Sequence, residues 1–168
     1  MENLIPITRF GDLKPLRNIR AQLTETTLVL DLIPELVSKT AYVPTTDDLI
    51  TPASARLLTG SREVVEGNTM LRLQFDQIRS SAFSDEFCDI HPVSLDTPQK
   101  DWPRIEGTQF TYPLVEVLNS SWHAGLPDYQ NGGANGGMHH FRAISAMNIV
   151  DIVGFEPSFE WLPNPHFA

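Results

Sequence analysis

The spacing of apolar residues changes period along the chain, and each change marks a predicted element. Residues 14–23 place Leu16, Ile19, Arg20 and Leu23 at three- and four-residue intervals, with Asp12 ahead and Pro15 near a first turn. This spacing predicts a short amphipathic helix. TTLVLDLI, residues 26–33, is β-branched and aliphatic and reads as a buried strand interrupted by Pro34, with PELVSKTAY as another helical turn or two. Prolines and TTDD make residues 42–52 a loop; Thr51 then caps PASARLL, with Pro52 at the first helical position and Gly60 past the end.

From Met70 the period becomes two. Leu71, Leu73 and Phe75 alternate with Arg72, Gln74 and Asp76, as in a strand with one buried face. A second alternating segment, 82–90, is expected to pair with it through a turn near 79–81. Residues 91–109 read as a long loop anchored by Trp102. In 112–123 the strand pattern returns, with Leu114, Leu118 and Trp122 on one face and Val115 and Val117 on the other, so burial on both sides is expected. NGGANGG, residues 131–137, is a hairpin tip. Residues 140–145 and 149–155 flank Ala146-Met147-Asn148 as the next hairpin. The tail PSFEWLPNPHFA reads as an extended strap. The expected class is α+β in one domain over residues 1–168. A mostly antiparallel sheet with a C-terminal meander carries one or two N-terminal helices on a face.

A hydrophobic fraction of 41% with 20% charged residues is ordinary for a folded globular chain. The formal charge of −9 opposes direct binding of a phosphate backbone, which draws on cationic side chains. Cys88 is the only cysteine, which excludes an intramolecular disulfide and multi-thiolate zinc sites and fits a reducing cytoplasm. MENLIPITRF lacks a signal-like apolar core and no segment approaches a membrane span, so a cytoplasmic protein with no cofactor is expected.

Several constellations carry candidate chemistry. His123, His139 and His140, with Asp128 between them, hold the residue types of a catalytic metal site, but adjacent histidines on a strand point to opposite faces. A nucleophilic reading takes Ser120 or Ser121, activated by His123 or a histidine across the hairpin, with Asp151 or Asp128 orienting the base. The G-x-S-x-G turn is absent, and serine after asparagine at a strand end more commonly satisfies backbone groups. Cys88 with His91 is a further nucleophile pair, and Asp85, Glu86 and Asp89 form a carboxylate cluster that also suits a solvated sheet edge. Trp122, Tyr129, Phe159 and Trp161 lie near glycine- or proline-rich segments and suit an aromatic binding surface ringed by acids.

The pattern YPLVEVLNSSW, followed by a loop and then HFRAIS and IVDIVGFEP, resembles small bacterial cytoplasmic proteins of uncharacterised or toxin-immunity type. Those pair a Glu-Val-x-x-Ser-x-Trp strand with a later Val-Asp/Glu-Val-x-Gly/Ala strand, and the resemblance spans about a third of the chain. It implies an acidic protein that masks the active surface of a basic toxin, with Glu116, Asp128, Asp151 and Glu156 as candidate contacts. The expected function is therefore a non-enzymatic acidic binding protein whose contact residues are Glu116, Trp122, Asp128, Tyr129, Asp151, Glu156 and Trp161. The alternatives are a small metal-dependent hydrolase using the histidine-bearing loop, and an oligomeric accessory or structural protein.

Overall fold

Alternation of buried and exposed positions dominates the described chain, and the backbone accordingly runs as strands. The computed structural model describes residues 1–25, 27–41, 43, 61–85, 93–127 and 137–167. In chain order the strands are β1 (Asn3–Pro6), β2 (Leu16–Leu23), β3 (Leu28–Ala41), β4 (Arg62–Glu66), β5 (Thr69–Phe75), β6 (Ile78–Asp85), β7 (Leu114–Leu118), β8 (His139–Ile144), β9 (Asn148–Gly154) and β10 (Ser158–Pro163). Helical structure among the described residues is confined to a 3-10 turn at Gln99–Asp101 and to α1, Ser121–Gly125. None of these helices is long and apolar enough to cross a membrane.

The strands form two antiparallel sheets. The first has the order β1-β7-β8-β9-β6; the second has β10-β5-β3-β2, with β4 also paired to β3. Their facing sides share one apolar core. Ile19, Leu28, Leu30, Leu32, Leu71, Leu73 and Phe75 come from the second sheet, and Leu114, Phe141, Ala143, Val150 and Ile152 from the first. Phe75 and Phe141 meet across it at 5.4 Å. Full burial of such a side chain contributes about 1.5–3 kcal/mol. The outer side of the first sheet is also covered: Leu4, Tyr112, Val115 and Val117 pack against Leu95, Trp102 and Ile105. Both faces of β7 are thus buried, as its two apolar faces predict; Trp102 holds its loop down by packing on this cluster, and its Nε1–H closes the loop on itself by donating to Thr97 O at 3.0 Å.

The α+β expectation is corrected by these sheets. The segment 14–23 carries β2, from Leu16 on, rather than a helix, because a register shift between Leu16 and Asn18 inserts an extra residue and leaves Leu16 and Ile19 both facing inward. A bulged strand thereby imitates helical spacing. PELVSKTAY is not helical either: β3 continues through Pro34 to Ala41. The missing N–H of Pro34 falls where the β2 register shifts, opposite Leu16, a place where a strand tolerates proline. Its carbonyl accepts Gly67 N–H at 2.7 Å, so close that a Cβ on Gly67 would lie 3.0 Å from the same oxygen. β4 and β5 follow one another along that edge of β3, opposite Glu35–Ala41 and Leu28–Leu32.

Two further expectations change. β6 starts after Asp76-Gln77 and crosses to the first sheet to pair with β9, not β5. The tail is a regular edge strand, β10, with Pro157 just before it and Pro163 at its end. The antiparallel β7-β8-β9 order stands as predicted, and the turn expected at Ala146-Met147-Asn148 narrows to Ala146-Met147, since Asn148 already opens β9. The helix expected at 52–58 lies outside the described residues.

Candidate functional site

Strand alternation puts Phe141, Ala143, Val150 and Ile152 into the shared core and turns His140, Arg142 and Asp151 to the outer side of the first sheet. There Arg142 and Asp151 are directly opposite partners on β8 and β9. Arg142 Nε and Nη2 donate to the two Asp151 oxygens at 2.7 and 3.0 Å, and Nη2 also donates to Val93 O at 2.7 Å. The guanidinium lies 5.3 Å over the Trp102 ring. Both side chains are essentially inaccessible, so each charge depends on the other for solvation.

His140 extends this pair toward α1. Its Nε2 is 2.7 Å from Asp151 Oδ1 and its Nδ1 is 2.7 Å from Ser120 Oγ. Ser120 is also the N-cap of α1, its Oγ accepting the His123 amide at 3.0 Å. With that lone pair used, a ring protonated on Nε2 satisfies every atom: Nε2–H donates to Asp151, and Ser120 O–H donates to Nδ1. Trp122 closes the side with its ring 5.0 Å from the imidazole, edge to face. Asn119, at φ 54°, makes the left-handed step that carries the chain from β7 into this cap.

Glu2 completes the assembly from the other end of the sequence. Its Oε1 accepts Ser121 N–H at 2.8 Å and Ser121 Oγ–H at 2.9 Å, and its Oε2 accepts Asp96 N–H at 2.8 Å. Burial alone raises its pKa, but these donors and nearby His140 outweigh burial and hold the carboxyl below its ordinary value.

Ser120, His140 and Asp151 thus stand in the order of a nucleophile, base and orienting acid, with 6%, 1% and 0% of their surfaces exposed. Acyl transfer would also need amide donors aimed at a developing oxyanion. Two amides at the start of α1 are already spent, Ser121 N–H on Glu2 and His123 N–H on Ser120. The arrangement acts as a cross-link between β8, β9 and α1.

Beside it opens a cleft of about 720 Å³, lined by residues that include Glu116, Asn119, His123, Met138 and His139. His139 points away from His140, as strand alternation predicts, and its Nδ1 lies 2.5 Å from Glu116 Oε1. His123 is held below the usual imidazole value, first by burial and then by neighbouring His140 and His139. The three histidines do not converge on one ion. Both ring nitrogens of His140 are occupied, and no group of three or more His, Cys, Asp or Glu among the described residues could hold a metal.

The other expected contacts are dispersed. Asp151 is buried, while Trp122 packs one side on His140 and stays partly exposed beside Val93 and Leu126. Glu156 is exposed and forms a two-pronged pair with Arg9 at 2.5 and 2.6 Å. Trp161 is 42% exposed, with Nε1–H donating to Phe10 O at 3.0 Å, while the Phe159 ring lies tilted against Phe10 at 4.9 Å. Asp128, Tyr129, Glu86, Cys88, Asp89 and His91 lie outside the described residues. Sequence reasoning missed Glu2 and Arg142. The apolar-flanked arginine in HHFRAIS, two positions from His140 and therefore on its face, was the available signal for Arg142. Comparison of the chain with protein-family models, with curated proteins and with solved structures gave no match.

Proposed function

We propose that this is a non-enzymatic binding protein that captures a cationic protein surface, as an immunity protein capping a basic toxin would. One observation carries the reading: the side chains best suited to chemistry, Ser120, His140 and Asp151, are buried and mutually satisfied. Their polar capacity goes into holding a scaffold. The charge balance supports the same reading. Ion pairs such as Arg9–Glu156, Arg20–Glu66, Arg72–Asp31 and Arg142–Asp151 remove both signs equally, so an excess of nine negative charges remains for the rest of the molecule. Such an excess speeds encounter with a positive partner.

The test is capture of partners by the intact protein from its native host, followed by association kinetics at increasing salt. A partner of net positive charge is expected. Its association rate should fall at least about tenfold as the screening length shrinks from ~30 Å at 0.01 M to ~8 Å at 0.15 M salt. Recovery of only further copies of this chain, or a salt-independent association rate, would overturn the proposal.

A further inference from the structure

We infer that the cleft between β7, β8 and α1 is a receptor for a single arginine side chain of the partner, with Glu116 as its counter-ion. This rests on the binding role proposed above and assigns it a site. Glu116 is the carboxylate among the described cleft-lining residues. Its Oε1 is engaged by His139, while Oε2 has no partner among the described residues and is available to a second donor. The other titratable groups at the cleft are imidazoles. Burial disfavours the charged form of His123, so that ring sits beside an incoming cation without a strong opposing charge.

The lining offers both parts of such a contact. Leu118, Ala124 and Met138 supply apolar surface for a methylene stem, and Glu116 supplies the carboxylate for a guanidinium. Arginine suits this site better than lysine because its fork can donate to Glu116 Oε2 and still direct N–H groups at neighbouring acceptors such as the Asn119 side chain. α1 and the Ser120–His140–Asp151 link hold one wall in place, so the site is formed before the partner arrives.

The experiment titrates the intact protein with Nα-acetyl-arginine amide, following the ring resonances of His123 and His139 by NMR. Nα-acetyl-citrulline amide, nearly the same shape without the charge, and inorganic phosphate are the controls. Saturable shifts with the arginine compound, little response to citrulline, and a roughly tenfold or greater loss of affinity in Glu116→Gln are expected. Because the citrulline comparison uses the unaltered protein, the outcome does not depend on how well the variant folds. No response to arginine, an equal response to citrulline, or shifts driven by phosphate instead would overturn the inference. A cationic partner that binds the folded Glu116→Gln protein at full affinity would also remove the cleft while leaving the binding role intact. Failure to find any cationic partner would remove the role itself.

Discussion

Replacing Asp151 by alanine would strip the acceptor from both Arg142 and His140 in a place that water does not reach. Breaking a buried ion pair from one side costs about 3–5 kcal/mol, because the surviving charge stays desolvated without its partner. That is a large part of the ~5–15 kcal/mol that holds a typical domain together. For 168 residues at ~2.1 cal/mol/K each, the unfolding entropy is about 350 cal/mol/K, so the melting temperature should fall by roughly 9–14 °C. In urea, with a slope of ~2 kcal/mol/M, the midpoint should fall by about 1.5–2.5 M. The paired variant Arg142→Met/Asp151→Leu removes both charges and should lose less than Asp151→Ala alone. Its residual cost is the His140 Nε2–H left without an acceptor, about 1–3 kcal/mol. Equilibrium urea unfolding followed by circular dichroism measures all three proteins. An Asp151→Ala protein within ~1 kcal/mol of the parent, or a double variant no better than the single, would refute the account of Asp151 as the centre of the cross-link.

Acid should weaken the fold in two windows with the same sign. His123 titrates below its ordinary 6.5 when folded, so the unfolded chain binds more protons as pH drops beneath 6.5 and stability falls. In Glu2 and Glu66 burial is outweighed by hydrogen bonds and nearby positive groups, so their contribution is present above 4.5 and lost as pH falls through the lower folded values. His123→Gln should flatten the upper slope and Glu2→Gln the lower one in urea midpoints measured against pH; unchanged slopes would reject these assignments. Asn119→Ala should cost about 1–2 kcal/mol at φ 54° while Asn119→Gly costs less, and equal losses in thermal unfolding would count against backbone strain as the cause. Ser84 is buried with its hydroxyl unpartnered among the described residues, so Ser84→Ala should leave the urea midpoint unchanged or raise it, by up to ~3 kcal/mol of stability. A clear loss would mean that the hydroxyl has a partner.

The sheet was legible where a strand is regular and one-sided. Leu71, Leu73 and Phe75 declare β5, and the turn around Ala146-Met147-Asn148 declares the β8–β9 hairpin. Illegibility began at irregularities. One extra residue between Leu16 and Asn18 converts a two-residue period into a helical-looking interval. Pro34 and Pro163 look like breaks but occupy a register shift and an edge-strand terminus, where a missing N–H costs little. Of the polar cluster, the residue types Ser, His and Asp are visible in the sequence, and alternation already separates His139 from His140. Which imidazole meets Ser120 depends on how β8 aligns with β9 and on where α1 folds back. Glu2 was out of reach for the same reason, since its partners are decided by topology and not by neighbouring residues.

Glu2 has a bearing on the order in which the molecule assembles. Its amide donors stand 94 and 119 positions downstream, so β1 is made well before the groups that fix its carboxylate. During synthesis β1 must wait for β7, the strand it pairs with, and for the Asp96 and Ser121 amides that hold Glu2. Closure over such a long span is a slow class of folding step. β1 therefore works as a latch, thrown once Asp96 and Ser121 have come into place.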